Sequence, residues 1–119
     1  MLGIGEPSDI IKGVQEGCDT FDCVMPTRNA RTGTVFMNDS SGPFEYVNLN
    51  LKNAKYKDDL GPIEFGCGCY TCKHYTRSYM NHLYKAGEML AGTLATIHNL
   101  HFMAKFMEKV RGEIEKGNL

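Results

Sequence analysis

The stretch CGCYTC, residues 67–72, places three cysteines within six positions. Such a cluster fits half of a disulfide framework, a dithiol redox site or a metal knuckle. The chain holds five cysteines, an odd number, and opens MLGIGEPSDI, neither a basic leader nor an amphipathic presequence. Reduced thiols in a cytoplasmic setting are the expectation, and an oxidised scaffold is not. Cys67 and Cys69 lie too close for easy mutual bridging, and Cys18 and Cys23 are far off in sequence. A redox Cys-x-x-Cys needs only Cys69 and Cys72 and leaves Cys67 without a role. Reduced cysteines packed as small apolar residues are the simpler alternative. Three cysteines completed by one histidine suit tetrahedral zinc better. Gly66 and Gly68 permit the tight backbone that turns successive thiolates inward.

Four histidines compete for the last ligand position: His74, His82, His98 and His101. His74 follows Cys72 too closely, and His82 falls within a helical run. His98 and His101 come after a long helical stretch able to fold back, and spacing alone leaves both open. Three thiolates and one imidazole leave no open coordination position. Such a metal would hold the chain and perform no chemistry.

Outward from the cysteines, the pattern is that of an α/β chain. MLGIG reads as a short buried strand running into a loop, and EPSDIIKGVQEG as a helix begun at Pro7 and stopped at Gly17. CDTFDCVM reads as a second strand, which completes a right-handed parallel unit. PTRNARTG reads as a polar loop with two arginines. TVFM and YVNLNL read as a hairpin, with Val47, Leu49 and Leu51 alternating and NDSSGP in the turn. KNAKYKDDLGPIEFG is an irregular connector. From residue 76 to 116 the pattern is helical. Tyr79, Leu83, Ala86 and Leu90 share one face, Leu94 and Ile97 carry on, and Phe102, Phe106, Val110 and Ile114 mark a last helix closed by Gly117. A parallel sheet must be covered on both faces, and two strands cannot form a stable one. The expectation is the C-terminal portion of a larger α/β domain.

The totals exclude little. The chain has 119 residues and a formal net charge of -1, so one domain or less is expected and charge argues neither for nor against a nucleic-acid partner. No apolar run approaches the ~20 residues of a membrane span, so no membrane association is expected.

FDCVMPTRNARTGTVF, KNAKYKDD, CGCYTC and TIHNLHF together resemble the C-terminal part of a tRNA-guanine transglycosylase, also called queuine tRNA-ribosyltransferase, of the bacterial type. The resemblance runs over about residues 2–114. It implies the last two strands of a TIM (β/α)8 barrel, with a zinc-binding subdomain and C-terminal helices. In this division residues 1–33 hold the last barrel strands and the active-site loop, 34–99 the zinc subdomain, and 100–117 the C-terminal helix. The implied activity exchanges guanine at the tRNA wobble position for a 7-deazaguanine base, preQ1 or queuine, in queuosine biosynthesis.

By the same resemblance, Asp22 is the nucleophile that forms a covalent ribosyl intermediate. A carboxylate at the C-terminal end of a parallel barrel strand is where such active sites form. Without the resemblance, Asp22 reads as a loop-satisfying carboxylate, and Asp19 competes with it. Arg28 and Arg31 are implied contacts to anticodon-loop bases, for which guanidinium forks suit. Leu2 and Gly3 are implied to floor the base pocket, Leu2 replacing a methionine. Cys67, Cys69, Cys72 and His98 are implied to bind one structural Zn2+ per chain. The implied partners are the tRNA anticodon loop, the 7-deazaguanine base and, when the protein is full length, a second copy in a homodimer. The hairpin is longer than is usual in the family, which is not expected to touch chemistry. The general base lies outside this chain, so no activity is expected from the isolated 119 residues. The competing reading is a non-catalytic, zinc-stabilised tRNA-binding or accessory subunit.

Overall fold

The computed structural model describes residues 1–119. Its elements in order are α1 (Pro7–Gln15), α2 (Met25–Arg31), β1 (Thr34–Asn38), β2 (Tyr46–Asn50), a 3-10 turn (Ala54–Tyr56), α3 (Tyr70–His74), α4 (Arg77–Lys85) and α5 (Met89–Glu115). Pro7 opens α1 as expected, since a proline in the first turn has no needed N–H to lose and its φ suits a helix. The two N-terminal stretches meet in parallel as a single bridge between Leu2 and Asp22, not as extended strands. The Gly3 amide donates to the Asp22 carbonyl at 2.7 Å and the Asp22 amide to the Met1 carbonyl at 3.0 Å. An α/β chain is present, and no closed barrel stands within these residues.

β1 and β2 pair antiparallel, Thr34 with Asn50 through Asn38 with Tyr46, which is the expected hairpin. Alternate β1 residues face opposite ways. Val35 joins a core of Ala30, Leu51, Ile63, Met80, Leu83, Ala91, Leu94 and Ala95. Phe36 joins a second core with Ile10, Phe102, Phe106 and Val110. Its ring lies 5.2 Å from that of Phe102. α5, 27 residues long, therefore carries one core on its first half and the other on its second. The hairpin tip covers the second half: Phe44 meets Phe106 edge-on, and the Tyr46 hydroxyl donates to Glu6 ahead of α1.

Two further readings of the sequence are corrected. PTRNARTG is not a loop, since its first residues complete α2, with Pro26 and Ala30 buried four positions apart. The helical stretch from residue 76 is not continuous either. α4 ends at Lys85, Gly87 adopts φ +71°, and α5 starts at Met89. That left-handed turn suits glycine and breaks the face expected to run from Tyr79 to Leu90. Ala86 and Leu90 are exposed, and Met80, Asn81 and Leu83 are the buried residues of α4. Beyond the turn the pattern continues without interruption through Ile97 and Phe102 in the one helix α5. No helix is long and apolar enough to cross a membrane.

Candidate metal centre

Gly66, at φ +82°, turns the chain into the cysteine cluster; Gly68 has no such conformation. Cys69 is the N-cap of α3, and its sulfur accepts the Cys72 amide at 3.3 Å. That turn brings both sulfurs to one end of a short helix. Thr71 between them is fully buried and donates from its hydroxyl to the Leu94 carbonyl at 2.7 Å. The bond pins α3 to α5 one helical turn before His98.

His98 is fully buried. Its Nδ1 stands 3.7 Å from Cys67 Sγ, 3.6 Å from Cys69 Sγ and 3.4 Å from Cys72 Sγ. All four ligand atoms lie within 4.8 Å of one another. Zinc–sulfur bonds of about 2.3 Å and a zinc–nitrogen bond of about 2.0–2.1 Å place tetrahedral S···N edges at about 3.6 Å. The observed sulfur–nitrogen edges bracket that length, so the donor set is compatible with one zinc ion in chemistry and in its sulfur–nitrogen spacing. His98 Nε2 donates to the Phe36 carbonyl at 2.6 Å. With its proton there, the imidazole offers Nδ1 as the free donor, a common outer contact of metal-binding histidines. His101 is not part of the group; it lines a neighbouring cleft with Lys105 and Lys109. The structure thus separates the two histidines that spacing left open.

The electrostatics of the cluster favour a positive charge at its centre. Burial raises the Cys69 thiol, yet hydrogen bonds from His98, the Cys72 amide and the neighbouring sulfurs outweigh this and hold it at about 7. Burial pushes Cys72 up. Burial alone would lower His98, but the three sulfurs and the Phe36 carbonyl push it up to about 12. A divalent metal held there meets that demand, because it takes the sulfurs as thiolates and the imidazole as a neutral ligand.

Asp22, at the parallel bridge, is exposed, as are Arg28 and Arg31 on α2. None of the three takes part in an ion pair. Arg31 packs its Cα 3.9 Å from where a Cβ on Gly92 would stand, so α2 runs close against α5. Leu2 is 83 % exposed beside the bridge. Cys23 lies against the N-terminal stretch, since a Cβ on Gly5 would come within 2.4 Å of its own Cβ. Three buried polar residues escaped the sequence reading: Thr71, Asn81 and Asn99. The Asn81 amide donates to the carbonyls of Leu51 and Asn53 and ties α4 to the hairpin exit. Their one signal in the sequence is a polar residue where an apolar stripe would place a hydrophobic one.

These features define an α/β chain with a closed donor set of three thiols and one imidazole. The family model described as queuine tRNA-ribosyltransferase matches residues 1–119. A protein named queuine tRNA-ribosyltransferase from Mannheimia succiniciproducens is 49% identical over 116 residues, covering 98% of this chain and 29% of the relative. Relatives of the same name from Marinobacter nauticus and a Thermoanaerobacter species are each 50% identical over 119 residues, all of this chain and 30% of theirs. The chain belongs to the queuine tRNA-ribosyltransferase family, a family of transferases acting in tRNA modification. It spans about 30% of the length of these relatives.

Proposed function

We propose that this chain is the C-terminal part of a (β/α)8 barrel enzyme that exchanges guanine at the wobble position of tRNA for a 7-deazaguanine base. The observation that carries the reading is the family match over every residue of the chain, with an exposed Asp22 at a parallel strand bridge and two exposed arginines on the following helix. Asp22 acts as nucleophile. Its carboxylate attacks C1′ of the target ribose, the C1′–N9 bond breaks, and guanine leaves with a proton supplied from outside this chain. The 7-deazaguanine then loses its N9 proton and attacks C1′, and the ester to Asp22 breaks. Two displacements at one carbon retain configuration.

Arg28 and Arg31 hold unstacked bases of the anticodon loop, which must open for the sugar to be reached. Leu2 and Gly3 lie beside Asp22 and contribute to the floor of the base pocket. Cys67, Cys69, Cys72 and His98 hold one zinc ion. With no open position, that ion's contribution is to fix α3 against α5.

The test uses the complete enzyme that contains this chain. Asp22→Ala is expected to abolish exchange of labelled guanine and leave tRNA affinity within about threefold. Denaturing gels should trap a tRNA–protein adduct with native Asp22 and none with the variant. An adduct that persists in Asp22→Ala would place the nucleophile elsewhere. A variant that keeps full exchange would favour the accessory-subunit reading.

A further inference from the structure

Beside the metal-binding histidine stands a residue that the exchange reaction leaves without a role. Asn99 is fully buried at the junction of α5, β1 and α2. Its Oδ1 accepts the Phe36 amide at 3.1 Å. Its Nδ2 donates to the Pro26 carbonyl at 2.9 Å and to the Thr34 carbonyl at 3.1 Å. Both side-chain N–H groups are therefore used, and the amide has one orientation. Turning it over would set the amide nitrogen against the Phe36 N–H and the oxygen against two carbonyls. Phe36 is thus held twice from α5, its carbonyl by His98 and its N–H by the next residue, Asn99.

Pro26 lies in the first turn of α2, a helix whose N-cap, Val24, makes no side-chain capping bond. The Asn99 bond is the polar anchor at that end. At the other end the Tyr84 hydroxyl donates to the Ala30 carbonyl. Pro26 and Ala30 are four residues apart and share the buried face of α2. Arg28, at roughly 160–200° around the helix from both, projects on the opposite, exposed face. Whatever sets the buried face of α2 therefore sets where the arginine stands.

We propose that Asn99 is a positioning residue that locks the first turn of α2 to strand β1, and so fixes the Arg28 guanidinium relative to the strand that His98 holds. The functional half of this inference rests on the reading of Arg28 as an RNA contact; the structural half does not. Asn99 touches no reacting atom, and its effect is exerted wholly through α2.

The structural half is tested on the complete zinc-loaded enzyme by amide hydrogen exchange. In Asn99→Ser the shorter side chain no longer spans from Phe36 to Pro26. One zinc per chain should be retained, while the amides of residues 28–33 exchange about tenfold faster or more. Unchanged exchange in α2 would overturn the proposal. Should that variant fail to bind zinc, the unsubstituted enzyme decides. Both Asn99 side-chain amide protons should exchange slowly, and exchange at the rate of an exposed amide would overturn the proposal.

The functional half is read in the complete enzyme. Asn99→Ser should raise the KM for tRNA about tenfold with kcat within about twofold. Combined with Arg28→Ala, its effect on KM should be far from additive, because both act through one side chain. Additive effects would overturn the positioning role. An Arg28→Ala variant with unaltered tRNA kinetics would count against the RNA-contact reading, while α2 exchange still decides the lock.

Discussion

Replacing Thr71 by valine measures how much the metal knuckle depends on its hold on α5. The substitution keeps the branched shape and deletes one donor. Thr71 is fully buried, and its hydroxyl bond to Leu94 is the one side-chain hydrogen bond joining α3 to α5 outside the metal cluster itself. The Leu94 carbonyl lies inside α5 and keeps its place in the helix ladder, so no acceptor is orphaned. The loss is then the net value of one hydrogen bond, about 0.5–1.5 kcal/mol. If the bond orders α3 only in the metal-bound arrangement, zinc affinity falls by that amount, about two- to twelvefold, with about fivefold as the expected value. The assay is competition for zinc against a chromophoric chelator at fixed pH. Thr93→Val, on the exposed face of the same helix, serves as control and should leave affinity unchanged. Wild-type affinity in Thr71→Val would refute the reasoning, because it would mean that the knuckle forms without its anchor. A loss beyond about a hundredfold would refute it as well, since one neutral hydrogen bond cannot supply that much.

Two further outcomes follow from the same geometry. Metal content should fall to near zero in His98→Ala and stay at one zinc per chain in His101→Ala; full zinc in the first variant would remove His98 from the donor set. Tyr84 has its hydroxyl pushed up to about 12 by burial, above an ordinary value of 10.0. A raised pKa in the folded state means that its contribution to stability is whole below about pH 10 and is lost as pH rises through about 12. Tyr84→Phe should flatten the pH dependence of thermal unfolding in that window, and an unaltered slope would show that another group governs it.

The chain's readability in sequence varied with how local each feature is. The hairpin was legible because its alternation is short-range and its turn residues are contiguous. The cysteine cluster was legible as a donor set, but spacing alone did not single out its fourth member, because His98 and His101 sit three residues apart on one helix and face nearly the same way; the family resemblance implied His98. In the structure, the packing of α5 against β1, which brings Phe36 to His98, separates them. α2 was misread because a seven-residue helix with two buried positions carries too little periodicity to register. Asn99 was illegible for a different reason: its partners, Pro26, Thr34 and Phe36, are 63 to 73 residues away. A polar side chain inside an apolar stripe signals that something must satisfy it, but not what.

The donor atoms of Cys67 and His98 are 31 residues apart in sequence. A metal joining them makes the intervening chain a closed ring, with α3 at the clasp and the exposed turn around Gly87 at its far side. A ring can be opened at one point and stay in one piece. A protease that cuts at Ala86–Glu88 should therefore leave a molecule that runs as one particle with zinc bound. The same nicked chain should come apart more readily in chelator. Residues added at that turn lengthen this ring and do not create a new one. The exposed turn at the far side of the clasp is accordingly a place where this chain can accept an inserted peptide at a small penalty, since closure entropy grows only slowly with loop length.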